Sequence, residues 1–252
     1  MTTIVSLKQA TVAVDNGLDQ KKIILNQVDL DIDEQDFITI LGGNGAGKST
    51  LFNVLSGTLP LTSGQMLVRG EDVTRLPAHE RARYLSRVFQ DPKLGTAPRM
   101  TVAENLLIAL NRGEKRQLVP RQLDQQRENF QSLLAQVGNG LENHLDTATG
   151  LLSGGQRQAL SLLMATLKRP DLLLLDEHTA ALDPKTSQSL MRLTQRFIDE
   201  GNLTALMITH QMADALTYGN RLLVMKDGKI IKDLSAEEKN LMTMADYYQL
   251  FD

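Results

Sequence analysis

One stretch constrains the fold more than any other: residues 42–50 read Gly-Gly-Asn-Gly-Ala-Gly-Lys-Ser-Thr, after Phe37-Ile38-Thr39-Ile40-Leu41 and running into Thr50-Leu51-Phe52-Asn53-Val54-Leu55. The first flank reads as a buried strand and the second as a helix, so the chain passes from a strand through a glycine loop straight into a helix start. The run fits G-x-x-x-x-G-K-[ST], the pattern of a loop that wraps backbone N–H groups around the phosphates of a nucleotide. Gly42, Gly43, Gly45 and Gly47 allow positive φ and remove Cβ atoms from the path of an anion, and Asn44 and Ala46 complete the cradle. Lys48 reaches towards the β- and γ-phosphates, the Ser49 hydroxyl suits Mg²⁺, and Thr50 continues a helix whose positive end faces the phosphates.

The remaining strand and helix patterns fit one α/β arrangement. Short β-rich runs occupy 4–7, 11–14, 23–25 and 28–32, with Asn16-Gly17 as a turn signal, and Gln65–Val68 and Arg87–Phe89 read as further strands. From about 92 to 160 helical periodicity and charge dominate, as in Val102–Leu110 and Phe130–Ala135. The mixed-charge stretch Arg112–Glu128 (Lys115, Arg116, Arg121, Asp124, Arg127) reads as a solvated helical face. Leu172–Leu175, Ala205–Thr209 and Leu222–Met225 are then short apolar strands between helices, which implies a parallel sheet covered on both faces.

Bulk properties narrow the function. At 252 residues the chain has ample length for a core, and its net charge of −3 argues against coating nucleic acid. With no cysteine there is neither a disulfide nor a thiolate metal site. Met1-Thr2-Thr3-Ile4-Val5 carries no basic segment ahead of an apolar run, so no secretory signal is expected, and the apolar stretches are too short to span a bilayer. A soluble protein, or one held peripherally by a membrane partner, is the expectation.

Two more constellations carry chemistry. Leu172–Leu175 ends in Asp176-Glu177, where α/β sheets place their ligands; Asp176 is positioned to hold Mg²⁺ opposite Ser49, and Glu177 to act as general base on water. Leu152-Ser153-Gly154-Gly155-Gln156 opens a helical run and forms a second anion nest, which one chain with one nucleotide does not need.

This LSGGQ run, ahead of a strand ending in Asp-Glu, resembles the signature of ATP-binding-cassette (ABC) ATPases, and the likeness extends over residues 4–235. The resemblance implies a P-loop NTPase fold with a parallel core sheet, an N-terminal antiparallel β subdomain and an inserted α-helical subdomain. It divides one domain, 1–252, into an ATP-binding core (1–91 and 161–235), a helical part (92–160) and a tail (236–252). It further implies a head-to-tail dimer in which Ser153, Gly154, Gly155, Gln156 and Asp183 act in trans on ATP bound by the partner's phosphate loop. Gln90 matches the glutamine that touches Mg²⁺ and the attacking water, Ala181-Leu182-Asp183 the loop at the dimer interface, and His210 the histidine on the γ-phosphate. Lys48, Gln90, Glu177 and His210 are then the catalytic set, and Ser49, Gln90 and Asp176 the Mg²⁺ set.

Three positions depart from that pattern. Val14 stands where an aromatic residue usually stacks on adenine, His178 where proline follows the glutamate, and Gln35 where the turn before the strand has glycine. The sequence around 150–186 is similar to a bacterial subfamily paired with permeases resembling those for branched-chain amino acids or sugars, which has an extracellular binding protein and links to aromatic amino acid uptake. The resemblance thus implies an importer subunit, peripheral at the cytoplasmic face of a bacterial membrane. An exporter subunit or a soluble assembly-type ATPase shares the same motifs. A long coiled-coil insertion and a second cassette, the marks of DNA-maintenance and translation relatives, are missing. The tail Glu237–Asp252 (Leu241, Met242, Met244, Tyr247, Tyr248, Leu250, Phe251) is expected to pack back on the core or the dimer partner.

Overall fold

The computed structural model describes residues 2–15, 21–114, 122–242 and 246. The four N-terminal runs form two long antiparallel strands, β1 (Thr3–Asp15) and β2 (Lys21–Asp33). Bulges disguise the continuity: Gln9 (φ 49°) and Gln27 (φ 50°) take left-handed backbone, and the pairing register shifts on either side of Ala10, so the alternation breaks. Asn16-Gly17 lies outside the described residues. Next, β3 (Phe37–Gly42) enters the glycine loop and continues into α1 (Lys48–Ser56). Gln35, at φ 66°, takes the turn conformation that glycine adopts more cheaply. β4 (Ser63–Val68) returns to pair with β1 and carries β5 (Glu71–Asp72), completing an antiparallel sheet of order β2-β1-β4-β5.

After the single turn of α2 (Ala78–Arg81), β6 (Leu85–Val88) begins the far edge of the second sheet. Among the described residues three α-helices come next: α3 (Val102–Leu110), α4 (Leu123–Val137) and α5 (Gly154–Thr166). The rest alternates as expected through β7 (Leu172–Asp176), α6 (Pro184–Gly201), β8 (Ala205–Ile208), α7 (Met212–Thr217) and β9 (Arg221–Lys226). The sheet order is β10-β9-β3-β8-β7-β6, with β3, β6, β7, β8 and β9 parallel.

β10 (Lys229–Ser235) is antiparallel to β9, leads into α8 (Ala236–Leu241), and is a strand that the sequence patterns above do not include. Its signal is Asp227-Gly228, whose positive φ values (50° and 74°) make the two-residue hairpin turn.

Period-two alternation explains how the central sheet is buried. Ile38, Ile40, Leu172, Leu174, Leu206 and Ile208 face α1 and the antiparallel sheet, while Leu173, Leu175, Ala205 and Met207 face the helical layer of α3 to α6.

The expectation of a solvated face over 112–128 fails at its first residue. Arg112 donates to Ser86 Oγ and to the carbonyls of Ala165 (2.9 Å) and Lys168, satisfying the C-terminal end of α5. Lys115, Arg116 and Arg121 lie outside the described residues. In the tail, Met242 packs against the cluster of Leu41, Ala215, Leu222 and Val224, whereas Leu241 is exposed. Met244, Tyr247, Tyr248, Leu250 and Phe251 lie outside the described residues.

Candidate nucleotide site

Parallel strands end on one side of the sheet, and the candidate residues track those ends. Gly42 terminates β3, Asp176 terminates β7, Gln90 comes just after β6, and His210 just after β8. Backbone bonds tie the ends together: Glu177 N–H donates to Ile208 O (3.1 Å) and Thr209 N–H to Ile40 O (3.3 Å).

Within the loop, Gly43, Asn44 and Gly45 are exposed while Ala46 and Gly47 are buried. Gly47 is the N-cap of α1 at φ 99°, and a Cβ there would meet Ile24 O and Leu25 Cδ2 at 3.0 Å, so only glycine fits without strain. No side chain caps α1, which leaves its first N–H groups facing the loop. Lys48 is buried, and its ammonium donates to Gly42 O (2.7 Å) and Gly43 O (3.0 Å). Burial lowers its pKa, opposed by the charges of Glu177 and Asp176, so the ammonium and both carboxylates share one field. Ser49 is exposed and Thr50 half-buried.

The β9–β10 turn, which sequence reasoning missed, props the loop from behind. Gly228 N–H donates to Ala46 O (3.1 Å), and Gly228 O accepts from Asn26 N–H (2.9 Å).

Glu177 sits at φ 45°, a left-handed conformation costly for a residue with a Cβ and commonest at functional sites. His210 Nε2 lies 2.6 Å from Glu177 Oε1, so the two expected catalytic groups are paired directly. Asp176 Oδ2 accepts from Arg87 Nη2 at 2.5 Å. Its Oδ1 accepts no hydrogen bond among the described residues. Gln90 is exposed. One carboxylate oxygen, one hydroxyl and one amide oxygen are hard donors that suit Mg²⁺ with water completing its shell. Among the described residues no three His, Cys, Asp or Glu side chains cluster as a metal site of their own.

The second nest stands apart. Ser153 caps α5 through a reciprocal box: its Oγ accepts from Gln156 N–H (3.2 Å), and its own N–H donates to Gln156 Oε1 (3.1 Å). Arg157, buried, donates to the carbonyls of Thr149, Gly150 and Leu152 and fixes the approach to the turn. Gly154 lies beside Leu182, and a Cβ on Gly155 would fall 2.5 Å from Thr186 Cγ2, so the serine turn packs directly against the 182–186 segment. Asp183 caps α6 by accepting from Lys185 and Thr186 N–H (both 3.1 Å). No hydrogen bond or ion pair joins 153–156 or Asp183 to 42–50 among the described residues.

Val14 is exposed near the end of β1, opposite Lys22. His178 is not at the surface of the site. It is buried, and its Nε2 lies 2.9 Å from Thr194 Oγ1 of α6.

Comparison with known proteins gives the family. The family model described as ABC transporter matches residues 25–180. A tyrosine transport ATP-binding protein of Clostridioides difficile (strain R20291) is 41% identical over 249 residues, covering 99% of each chain. A spermidine/putrescine import ATP-binding protein of Spiroplasma citri is 33% identical over 88% of this chain and 61% of its own length. Among solved structures, the ATP-binding cassette MJ0796, as a dimer in a post-hydrolysis state bound to ADP and Pi, superposes with TM-score 0.78 at 26% identity, covering 92% of this chain and 99% of that one. MJ1267, an ATP-binding cassette of an ABC transporter, also gives TM-score 0.78 at 26% identity, covering 99% of both. Since the family model takes in more than half of the chain and the Clostridioides relative matches it end to end, the chain belongs to the ABC transporter family, as an ATP-binding subunit.

Proposed function

We propose that this chain is the ATP-hydrolysing engine of a bacterial importer for a small solute, with an amino acid as the solute class. The observation that carries the reading is the separation of two phosphate nests on one chain. Lys48, Asp176, Glu177 and His210 gather at the strand ends, while Ser153–Gly155 packs against Leu182 and Thr186 and shares no hydrogen bond or ion pair with residues 42–50 among the described residues. A second copy brings its nest to the first copy's loop, and two ATP molecules close two chains head to tail. The relatives' names, tyrosine transport and spermidine/putrescine import, support import and a small nitrogenous solute.

In this mechanism the loop 42–50 binds the phosphates, with Lys48 exchanging its bonds to Gly42 O and Gly43 O for phosphate oxygens. Ser49, Gln90 and Asp176 hold Mg²⁺, which when bound neutralises charge on the phosphates. Glu177 takes a proton from the attacking water, and His210, already beside it, orients that carboxylate and meets charge on the γ-phosphate. The partner's Ser153, Gly154, Gly155, Gln156 and Asp183 complete each site, and Val14 lies at the base position. The core (1–91, 161–235) carries the phosphate loop, the strand-end groups and Asp183, the helical part (92–160) carries Ser153–Gln156, and 236–252 is a tail.

No helix among the described residues is long and apolar enough to cross a membrane, so anchoring falls to integral permease subunits at the cytoplasmic face, with an extracellular solute-binding protein as the indirect partner. Nucleic acid has no role in this reading. Glu177→Gln is expected to abolish steady-state ATP hydrolysis and to accumulate an ATP-bound dimer by size-exclusion chromatography. Undiminished turnover in that variant would remove Glu177 as the base.

A further inference from the structure

We propose that Arg87 is the positioning residue of the divalent-cation site, holding Asp176 by Oδ2 so that Oδ1 is presented to the cation that arrives with the nucleotide. The inference rests on the assignment of Ser49, Gln90 and Asp176 to that cation. Those three side chains come from three separate elements, α1, the segment after β6, and β7, and their spacing is only as good as the alignment of those elements.

One guanidinium touches all three. Arg87 lies on β6, three residues before Gln90. Its Nη2 donates to Asp176 Oδ2 at the end of β7 (2.5 Å), and its Nη1 donates to Asn53 Oδ1 (2.8 Å). Asn53 is on α1, four residues and so about one helical turn beyond Ser49.

The guanidinium is also clamped. It stacks over the Phe89 ring at 4.9 Å, with Phe52 at 5.9 Å, and the Arg87 and Asp176 side chains are each only 14% exposed. A planar donor fixed by two hydrogen bonds and a ring face is preorganised; it is not a swinging counter-ion waiting to be displaced. Lysine in its place has a point charge on a flexible stem and cannot bond Asn53 and Asp176 while lying flat on Phe89. The same clamp joins Phe89, next to Gln90, to the carboxylate, so a shift of the Gln90 segment is felt at Asp176.

The test uses Mn²⁺ as the probe in the full-length Glu177→Gln protein, where ATP is not consumed. Mn²⁺ binding in the presence of ATP is followed by electron paramagnetic resonance, and ATP binding in EDTA is measured in parallel. Arg87→Lys, which keeps charge and stem, and Arg87→Gln are both expected to weaken Mn²⁺ binding by about tenfold, as loss of a metal site's outer partner does. Metal-free ATP binding should stay within about twofold. Asn53→Ala, which loosens the clamp without touching Asp176, should weaken Mn²⁺ binding by a smaller factor.

Parental Mn²⁺ affinity in folded Arg87→Lys, or tighter binding in either Arg87 variant, overturns the proposal. Asp176→Asn separates the two levels. If it loses Mn²⁺ while Arg87→Lys does not, only the role of Arg87 falls. If Asp176→Asn binds Mn²⁺ like the parent, the cation assignment falls and takes this proposal with it.

Discussion

His178 shows how a single unusual residue is absorbed. Where the family usually has proline, the imidazole enters the core, and its Nε2–H donates to Thr194 Oγ1, which in turn donates to Leu190 O (2.9 Å). Desolvation pushes its pKa down to about 4, so it is neutral and structural near pH 7. Between about pH 4 and 6.5 the unfolded chain therefore binds more protons than the folded one, and stability rises with pH across that window. Acidification from 6.5 to 4 should cost about 3 kcal/mol through this group alone. In the nucleotide-free protein, His178→Gln should flatten that part of the melting-temperature profile; an unchanged acid slope would show that other groups set it. Lys48, Asp176, Glu177 and His210 were legible as a set because each sits at a strand end or in a local motif. Arg87 was not, since its partners Asn53 and Asp176 are 34 and 89 residues away.

The elements around the loop are held by contacts that no periodicity reveals. Helix α1 starts at the glycine loop with no side-chain cap, and its other end is closed by Arg81. This buried guanidinium donates to Val54 O (2.6 Å), Leu55 O (3.2 Å), Leu76 O (2.9 Å) and Thr74 O (2.9 Å). No carboxylate pairs with it among the described residues, so burial lowers its pKa, and the charge is met by the carbonyls and by Met66 Sδ (3.1 Å). Arg81→Ala leaves Leu55 O without a donor and Val54 O with only the Gly57 N–H (3.0 Å), in a dry site, and opens a cavity. We expect a loss of about 3 kcal/mol in urea unfolding. A loss below about 1 kcal/mol would mean that water replaces the guanidinium. The helices over 50–55, 102–110 and 130–135 were legible from their period; the structure starts α3 and α5 with capping boxes at Thr101/Glu104 and Ser153/Gln156. The strands β1 and β2 read as fragments because bulges at Gln9 and Gln27 break the period.

On the scale of the whole molecule, a central sheet is shared by two apolar layers, and the glycine loop and the Ser153–Gly155 turn lie in different parts of the chain. Ser153→Arg, made in the Glu177→Gln protein, should leave ATP affinity of the isolated chain unchanged while preventing the ATP-dependent dimer. Reduced affinity in the monomer would mean that the serine turn serves its own chain's nucleotide. Thr186 and Leu182 pack under Gly155 and Gly154, so the nest and the loop carrying Asp183 are expected to reach the partner as one unit.

The sequence by itself determined the phosphate loop, the strand-end carboxylates, the second nest and the alternation that builds a parallel sheet. All of these are set by local residue order, through backbone freedom, capping and period-two burial. Tertiary structure alone decided which groups meet: Arg87 on Asp176, His210 on Glu177, Gly228 behind Ala46, Thr186 under Gly155. Those contacts join residues far apart in the chain, and their identity depends on sheet order and on the registers between strands, which short-range pattern does not encode.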